Sequence, residues 1–176
     1  MESKDYHLPE IITLEEFGGD WHSFIEAVYE AFKKDFLISR PIFRGTYIRL
    51  KRHPLFQDKA YTFYHMTHKG DIESDREPEL RRCERISWAK PVIENCEQWK
   101  LKIWPQIRKG KNRICIWLEL DDEPDYIVIL DVRKNSYIYV WTAFTLNRNH
   151  EKRKKLKEYE EYMKNAKAAR SNPTAS

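Results

Sequence analysis

The chain has 176 residues, of which 41% are hydrophobic and 14% aromatic, a composition typical of one globular domain and unlike that of a disordered chain. Its three cysteines are odd in number and lack metal-type spacing, which favours reduced thiols and a cytoplasmic protein. No signal-peptide pattern opens the sequence, and no uncharged apolar run approaches about 20 residues, so no membrane partner is expected.

The charge of the chain, +4 in total, is unevenly distributed. Residues 1–35 carry nine acidic residues and three lysines, whereas residues 148–170 carry nine bases and four glutamates. An acidic segment joined to a basic body indicates a polyanionic partner for the body. The pattern leaves open whether the acidic segment repels that partner or folds across its binding site as a brake.

The first predicted elements are an extended segment at 1–13 and a helix at 20–36. Apolar residues recur every three or four positions from Trp21 to Phe32, which places them in one stripe along a helix. Asp20 is a suitable acceptor for the free N–H groups of the first turn.

The next elements are predicted from shorter patterns. Residues 46–52 alternate apolar and basic side chains and indicate a strand with one positive face. The aromatic run 60–65 predicts a second strand or a buried extended piece, and the polar residues 69–78 predict a loop. Residues 92–109, interrupted by a proline, give no prediction.

A helix is expected from Pro78, because proline suits a first helical turn and Glu79 suits the positive end of the helix dipole. Arg81 and Arg85 would lie one turn apart on it. Its inward-facing residues would be Leu80, Cys83 and Ile86.

Three β-branched and aromatic runs, at 113–120, 126–132 and 136–144, are separated by turn-like links and predict an antiparallel meander. A charged helix at 150–167 follows, with Leu156, Tyr159 and Met163 as its apolar stripe, and then a frayed tail at 171–176.

The predicted fold class is therefore α+β: a curved antiparallel sheet made of this meander and the two earlier strands, with an N-terminal helical cover and a C-terminal helix. Residues 1–170 are expected to form one domain, within which 1–40 is an acidic helical extension.

Several residues have the chemistry needed to cleave RNA without a metal ion. The reaction requires a general base, a general acid, cations around the phosphate and a surface that binds a nucleobase. His65 or His68 titrates in the right range, and Glu84 is the competing carboxylate. Arginines suit phosphate oxygens, and a threonine hydroxyl can donate to them. The candidate arginines are Arg81, Arg82 and Arg85, and the candidate hydroxyl is that of Thr142. The RNA backbone on either side of the cleaved phosphate could be held by Lys154, Lys155 and Lys157.

Each of these features also has a common structural explanation. A histidine beside an aromatic run is often half-buried packing, and a basic helix face is often solvated and linked by local ion pairs. The sequence lacks cysteine or histidine spacing typical of metal sites, a phosphate-binding glycine loop and a glycine-flanked serine nucleophile. No metal and no cofactor are therefore expected.

Residues 70–91, with Arg-Arg-Cys-Glu-Arg-Ile at 81–86, together with Trp-Thr-Ala-Phe at 141–144 and the helix sequence at 154–159, resemble a family of small phage- and prophage-encoded proteins. That family is grouped with the Barnase–EndoU–colicin–RelE class of metal-independent ribonuclease folds. The resemblance covers about residues 60–160. It implies a ribonuclease-like cleft on the sheet, a toxin or host-takeover setting, and motif positions at Arg81, Arg82, Glu84, Arg85, Thr142, Lys155 and Tyr159.

The first hypothesis is thus an endoribonuclease acting through 2′-OH attack, with His65, Arg81, Glu84, Arg85 and Thr142 as catalytic candidates. Arg82, Lys154, Lys155 and Tyr159 are the nucleic-acid-binding candidates. RNA, including tRNA and other structured RNA, is the expected partner, and an inhibitor or host protein is a further candidate. The alternative hypothesis is a non-catalytic module that binds nucleic acid or a host protein through the same basic face.

Overall fold

The structure, a computed structural model, describes residues 5–172. Over these residues it contains five α-helices, α1 Trp21–Phe32, α2 Tyr61–Thr67, α3 Leu80–Glu84, α4 Ala89–Asn95 and α5 Asn149–Ser171. The strands are β1 Ile42–Phe43, β2 Thr46–Tyr47, β3 His68–Lys69, β4 Glu77–Pro78, β5 Lys102–Arg108, β6 Lys111–Leu118, β7 Asp125–Val132 and β8 Ile138–Leu146. Short 3-10 turns lie at Leu14–Phe17, Glu73–Asp75 and Ile86–Trp88, and a π-helical segment, Lys33–Ile38, continues α1.

The predicted α+β class is confirmed. Strands β5, β6, β7 and β8 form an antiparallel sheet in sequential order, with helices before it and α5 after it. The meander predicted at 113–144 corresponds to β6, β7 and β8, and the predicted C-terminal helix is α5. The β-branched and aromatic runs and the turn-like links between them therefore identified these strands correctly.

Strand β5 and helix α4 are elements that the sequence did not predict. Strand β5 has an identifiable reason. It contains Pro105, which pairs with Ile114 of β6, and lies at the edge of the sheet. Proline cannot donate a ladder hydrogen bond, so an edge strand is where a sheet accepts it.

One face of the sheet, the core face, packs against helices α1 to α4. Because strand side chains alternate, every second residue of the central strands points into this core. Aromatic residues of α1 and α2, including Phe24, Phe32 and Phe63, fill it from the other side. The sheet residues in it are Ile116, Leu118, Tyr126, Val128, Leu130, Val140 and Ala143.

The predicted helix at 20–36 is confirmed as α1 with its π-helical continuation. Asp20 Oδ2 accepts a hydrogen bond from the Ser23 backbone N–H at 3.1 Å, the expected cap. The segment 5–13 has no regular secondary structure, as expected, and Trp88 Nε1 donates to the Pro9 carbonyl at 2.8 Å.

The strand predicted at 46–52 is largely wrong. Only β2 forms there, and it pairs with β1 in a separate two-stranded ribbon. Arg49 alone reaches the main sheet, through a single parallel bridge to Tyr139. The early strands therefore do not widen the sheet, because alternation over seven residues does not specify a pairing partner.

The strand predicted at 60–65 is also wrong, since these residues begin helix α2. Residues 62–67 are all buried, so the helix has no polar face whose spacing could show in the sequence. A short run that is buried on all sides cannot be assigned to helix or strand by periodicity alone.

The predicted loop at 69–78 contains the short β3–β4 pair and a 3-10 turn, and the helix expected from Pro78 is the five-residue α3. Cys83 and Ile86 are buried as predicted, whereas Leu80 is exposed. Ser171 ends α5, and the predicted frayed tail lies outside the described residues from 173 onward. No helix in the stretch 5–172 is long and apolar enough to cross a membrane.

Candidate nucleic-acid interface

The second face of the sheet, the cleft face, is covered only in part. Leu156 and Tyr159 of α5 pack on Trp104, Trp117 and Leu146 near one end of it. The other end is not covered by α5. Between α2 and α3 on one side and the β5–β6 hairpin on the other lies a basic cleft with a volume of about 420 Å³.

A β-bulge in β8 brings two aromatic residues into this cleft. Ile129 pairs with Thr142 and Leu130 pairs with Val140, so Trp141 is an extra residue in the strand. Trp141 and Phe144 are three residues apart, and a regular strand would point them to opposite faces. Because the bulge adds one residue, both line the cleft.

The cleft is strongly cationic. Of the charged side chains that line it, Asp71 is the one carboxylate, against seven basic residues. A concave site with one sign of charge concentrates counter-ions, here anions. The basic residues are Lys69, Arg76, Arg82, Arg108, Lys109, Lys111 and Arg113.

Trp141 is the aromatic centre of the cleft. The guanidinium carbon of Arg113 lies 4.2 Å from its ring centroid, and Lys111 Nζ lies 5.9 Å away. Arg113 also lies 3.3 Å from Asp131 Oδ1 through its Nε. A half-buried indole surrounded by cations can bind both a base and the phosphate next to it.

His65, on α2, lies at the wall of the cleft with its ring beside Trp141, 4.7 Å between centroids. The residue is 3% exposed, and neither ring nitrogen has a hydrogen-bond partner. Glu73 Oε1 is 3.7 Å from Nε2, beyond hydrogen-bonding distance. Burial, followed by the positive charge of Arg76, lowers the pKa of His65 to about 4, so the imidazole is neutral at pH 7.

Gly70 allows Arg76 to lie close to this histidine. Its φ is +138°, and a Cβ built there would lie 3.3 Å from the Arg76 Cα. A larger residue at position 70 would have a strained backbone and would crowd Arg76. Glycine therefore allows the loop between β3 and β4 to fold against the cleft.

Arg82 and Thr142 join α2 to the sheet. Arg82 Nη1 donates to the His68 carbonyl at 3.0 Å and to Thr142 Oγ1 at 3.3 Å, while its Nε donates to Glu79 Oε2 at 2.7 Å. Thr142 Oγ1 in turn donates to the His65 carbonyl at 3.0 Å. Both residues line the cleft as predicted, but the hydroxyl hydrogen of Thr142 is already used by the backbone.

His68, the other histidine candidate, packs against its own neighbours at the end of α2. Its ring centroid lies 4.4 Å from that of Tyr64, and its Nδ1 is 2.9 Å from Thr67 Oγ1. Burial lowers the pKa of His68 to about 4.

The structure does not bring Glu84 or Arg85 into the cleft. Arg85 is 7% exposed and pairs with Glu84 Oε2 at 3.0 Å and Glu123 Oε2 at 3.3 Å. Glu123 lines a separate depression with Glu10, Asp121 and Asp122, an acidic setting that would repel a phosphate.

Arg81 is also outside the cleft, and its Nη1 donates to Asn147 Oδ1 at 2.6 Å. The clamp expected from Arg81 and Arg85 therefore does not form. Helix α3 ends at Glu84, so the two arginines do not share a helix face.

On α5, Lys154 and Lys155 line a trough of about 360 Å³ that shares Gln106, Arg108 and Phe144 with the cleft and so continues it. Lys155 Nζ lies 3.2 Å from Glu158 Oε2. Tyr159 packs against Trp104, with 5.7 Å between ring centroids, and lines neither cavity. Tyr159 therefore packs α5 on the sheet.

The acidic segment does not cover the cleft. No residue in the described part of the acidic extension, 5–40, lines it, because α1 packs into the core on the opposite face of the sheet. The idea that this helix acts as a brake across the site is therefore wrong.

Sequence reasoning missed most of the cleft's cations. Arg108 and Lys111 flank the β5–β6 turn, which was missed with β5 itself. Arg113 lies in a predicted strand. Side chains alternate between the two faces of a strand, so its position relative to the core residues could have assigned it to the cleft face. Arg76 gave no usable signal, because only the folded loop brings it to His65.

No protein-family model matches this chain, and neither a curated protein nor a solved structure matches it. The candidate site is therefore identified by its own geometry: a basic cleft with an aromatic centre and an uncharged histidine at its wall.

Proposed function

We propose that this protein is a metal-independent endoribonuclease that binds RNA in the basic cleft. The observation that carries the proposal is His65, a buried and neutral imidazole with two unpartnered ring nitrogens at the wall of a cleft lined by seven cations, with the Glu73 carboxylate 3.7 Å from its Nε2. Buried polar groups normally have partners, and exceptions are often catalytic. The resemblance to the phage-encoded ribonuclease-like family, which we include in the proposal, points to the same activity and to a toxin-like setting.

Binding is assigned to the cations and Trp141. Arg108, Lys111 and Arg113 would neutralise phosphates, releasing counter-ions from the RNA. Trp141 would stack on one base, which favours a single-stranded or looped region because bases in a duplex are already stacked.

The chemical step is assigned to His65, whose ring nitrogens are buried in the free protein and become accessible to RNA only when the wall of the cleft opens on binding. Its unprotonated ring nitrogen takes the proton of a ribose 2′-OH, and the 2′-oxygen forms a bond to phosphorus. The bond from phosphorus to the 5′-oxygen breaks, and water in the open cleft protonates that oxygen. The hydroxide left behind takes the proton from the His65 imidazolium, which restores the neutral base and the water. The products are a 2′,3′-cyclic phosphate and a 5′-OH end, and nearby arginines stabilise the crowded phosphorane.

A pKa near 4 makes His65 a weak base in the free protein, and substrate would change this. Burial lowers the pKa first and the charge of Arg76 adds to it. A bound phosphate brings negative charge to the same place, which favours the imidazolium and raises the pKa toward the ordinary value of about 6.5.

The test compares His65→Gln with His22→Gln, a matched substitution at an exposed position on α1. Labelled RNA is incubated with each protein and excess chelator, and the fragment ends are analysed. Wild type and His22→Gln are expected to yield 2′,3′-cyclic phosphate ends, and His65→Gln to be about 10²–10⁴-fold slower. Equal rates for the two variants would remove His65 from the mechanism.

The second candidate function is a non-catalytic module that binds RNA or a host protein with the same face. Two observations favour it. The hydrogen-bonding groups of Arg82 and Thr142 are already used within the protein, so they are not free for a reacting phosphate. Asp71 is the one carboxylate that lines the cleft, so few groups there could serve as an acid or a base. RNA that stays intact but shifts in a gel would select this function.

A further inference from the structure

The positive surface of the cleft continues past Arg113 through a shared carboxylate. Asp131 is 2% exposed and lies 3.3 Å from Arg113 Nε and 2.7 Å from Arg133 Nε. One buried negative charge thus links two arginines and leaves a net positive charge between them. Arg133 in turn lies over the ring of Tyr139, 5.3 Å from its centroid.

Beyond this link lies a second depression, of about 630 Å³, which we call the hairpin site. It is lined by Lys51, Arg133, Lys134, Asn135 and Tyr139, three cations and no carboxylate. Tyr139 is two residues from Trp141, so both point to the cleft face of the sheet. The hairpin site and the cleft are therefore neighbours on one surface.

Aromatic contacts join the two sites on the other side as well. Lys51 Nζ lies 4.1 Å from the ring centroid of Tyr61, and the Tyr61 ring lies 4.5 Å from that of His65. Burial and the Glu73 carboxylate raise the pKa of Tyr61 to about 12, so it stays neutral beside the lysine.

We infer that the hairpin site binds the phosphate backbone of single-stranded RNA that passes through the cleft, so that the RNA runs along β8. This inference rests on the proposed function. From Tyr139 to Phe144, the last residue of β8 that lines the cleft, the strand spans about 17 Å, at ~3.3 Å per residue. An RNA contact of that length fits the site sizes of about 4–16 nucleotides found in single-strand-binding folds.

Neighbouring elements make RNA the better occupant than a folded protein. The depression is open, its lysines Lys51 and Lys134 are exposed, and its cations lie beside an aromatic ring, Tyr139, a combination found in grooves that bind single-stranded nucleic acid. At the opposite end of the cleft the trough also places cations beside an aromatic ring, with Arg108, Lys154 and Phe144, but Glu151 and Glu158 line it as well.

The test measures affinity for labelled 2′-O-methyl RNA, which cannot be cleaved by 2′-OH attack, in lengths of about 4 and about 14 nucleotides. Lys51→Gln combined with Lys134→Gln changes two exposed lysines of the hairpin site. Lys164→Gln combined with Lys167→Gln, two exposed lysines of α5 that line neither site, is the matched control. Arg108→Gln combined with Lys111→Gln changes the cleft.

The hairpin-site variant is expected to bind the long RNA about tenfold more weakly at physiological salt, with a salt slope reduced by about 1.4, since each lost phosphate contact removes ~0.7. Its affinity for the short RNA should equal that of the control. An unchanged affinity for the long RNA, or an equal loss with the short one, overturns the inference. If only the cleft variant weakens binding, the proposed function survives without the hairpin site; if only the hairpin-site variant does, the proposed function fails instead.

Discussion

The two faces of the sheet follow the same strand alternation but carry different residues. The core face is apolar along the central strands and is fully covered by helices. The cleft face is largely apolar where α5 covers it, around Trp104 and Trp117. Where it is open, it carries cations beside apolar residues: Arg108, Lys111 and Arg113 with Ile129, Trp141 and Phe144. The difference shows that the position of α5, set by a narrow apolar stripe, decides which part of the sheet is left for binding.

The largest expected contrast lies between neighbours on β7. Leu130 points into the core face and Ile129 into the cleft. Leu130→Ala should lower the free energy of unfolding by about 3 kcal/mol, and Ile129→Ala by about 1–2 kcal/mol, because water from the cleft can fill the space left by Ile129. Urea denaturation measures both, and equal losses would contradict the distinction between the faces.

The next largest effect on stability is expected where Arg82 links the end of α2 to β8. Arg82→Ala removes donors to His68, Thr142 and Glu79 and should cost about 2–3 kcal/mol of stability. Arg81→Ala, at the exposed neighbouring position, should cost less than about 0.5 kcal/mol. If thermal or urea unfolding gave the two variants the same stability, the bonds of Arg82 would contribute nothing net.

A pH dependence of stability should follow from His65. Its pKa is about 4 in the folded protein and about 6.5 in the unfolded chain, so between these values only the unfolded chain takes up the proton. The contribution is complete above pH 6.5 and is lost as the pH falls toward 4. Wild type should lose about 1–2 kcal/mol more than His65→Gln between pH 7 and pH 5 in urea unfolding. NMR titration should give a pKa well below 6.5, and a value near 6.5 would refute the buried, neutral state.

The smallest effect concerns the aromatic centre of the cleft. Trp141→Leu should weaken binding of single-stranded RNA by about tenfold, the worth of stacking on one base, ~1–3 kcal/mol. Trp21→Leu, on the partly exposed start of α1, is the matched control and should bind normally. Fluorescence anisotropy at fixed salt measures both affinities; an unaffected Trp141 variant would show that the cleft attracts RNA by charge alone.

Sequence patterns predicted the elements that have a clear local signal. Helices α1 and α5 each carry an apolar stripe on one side, and strands β6 to β8 are β-branched and aromatic runs between turn-like links, although β7 is buried on both faces. Helix α2 was misassigned because it is buried all round, and β5 was missed because Pro105 hides its pattern. The predicted site residues fared similarly: His65, Arg82 and Thr142 do meet in one cleft, whereas Arg81, Glu84 and Arg85 do not join them.

The sequence by itself determined the fold class, the meander and the basic character of the body, because these depend on local spacing and on summed charge. Tertiary structure alone decided which charges act together. Arg82 and Arg85 are three residues apart in one motif, yet Arg82 lines the basic cleft whereas Arg85 is buried outside it and pairs with Glu84 and Glu123. Such placement depends on where a short helix ends, on one extra residue in β8 and on loop contacts such as that of Arg76. These contacts join residues far apart in the chain, and no local pattern records them.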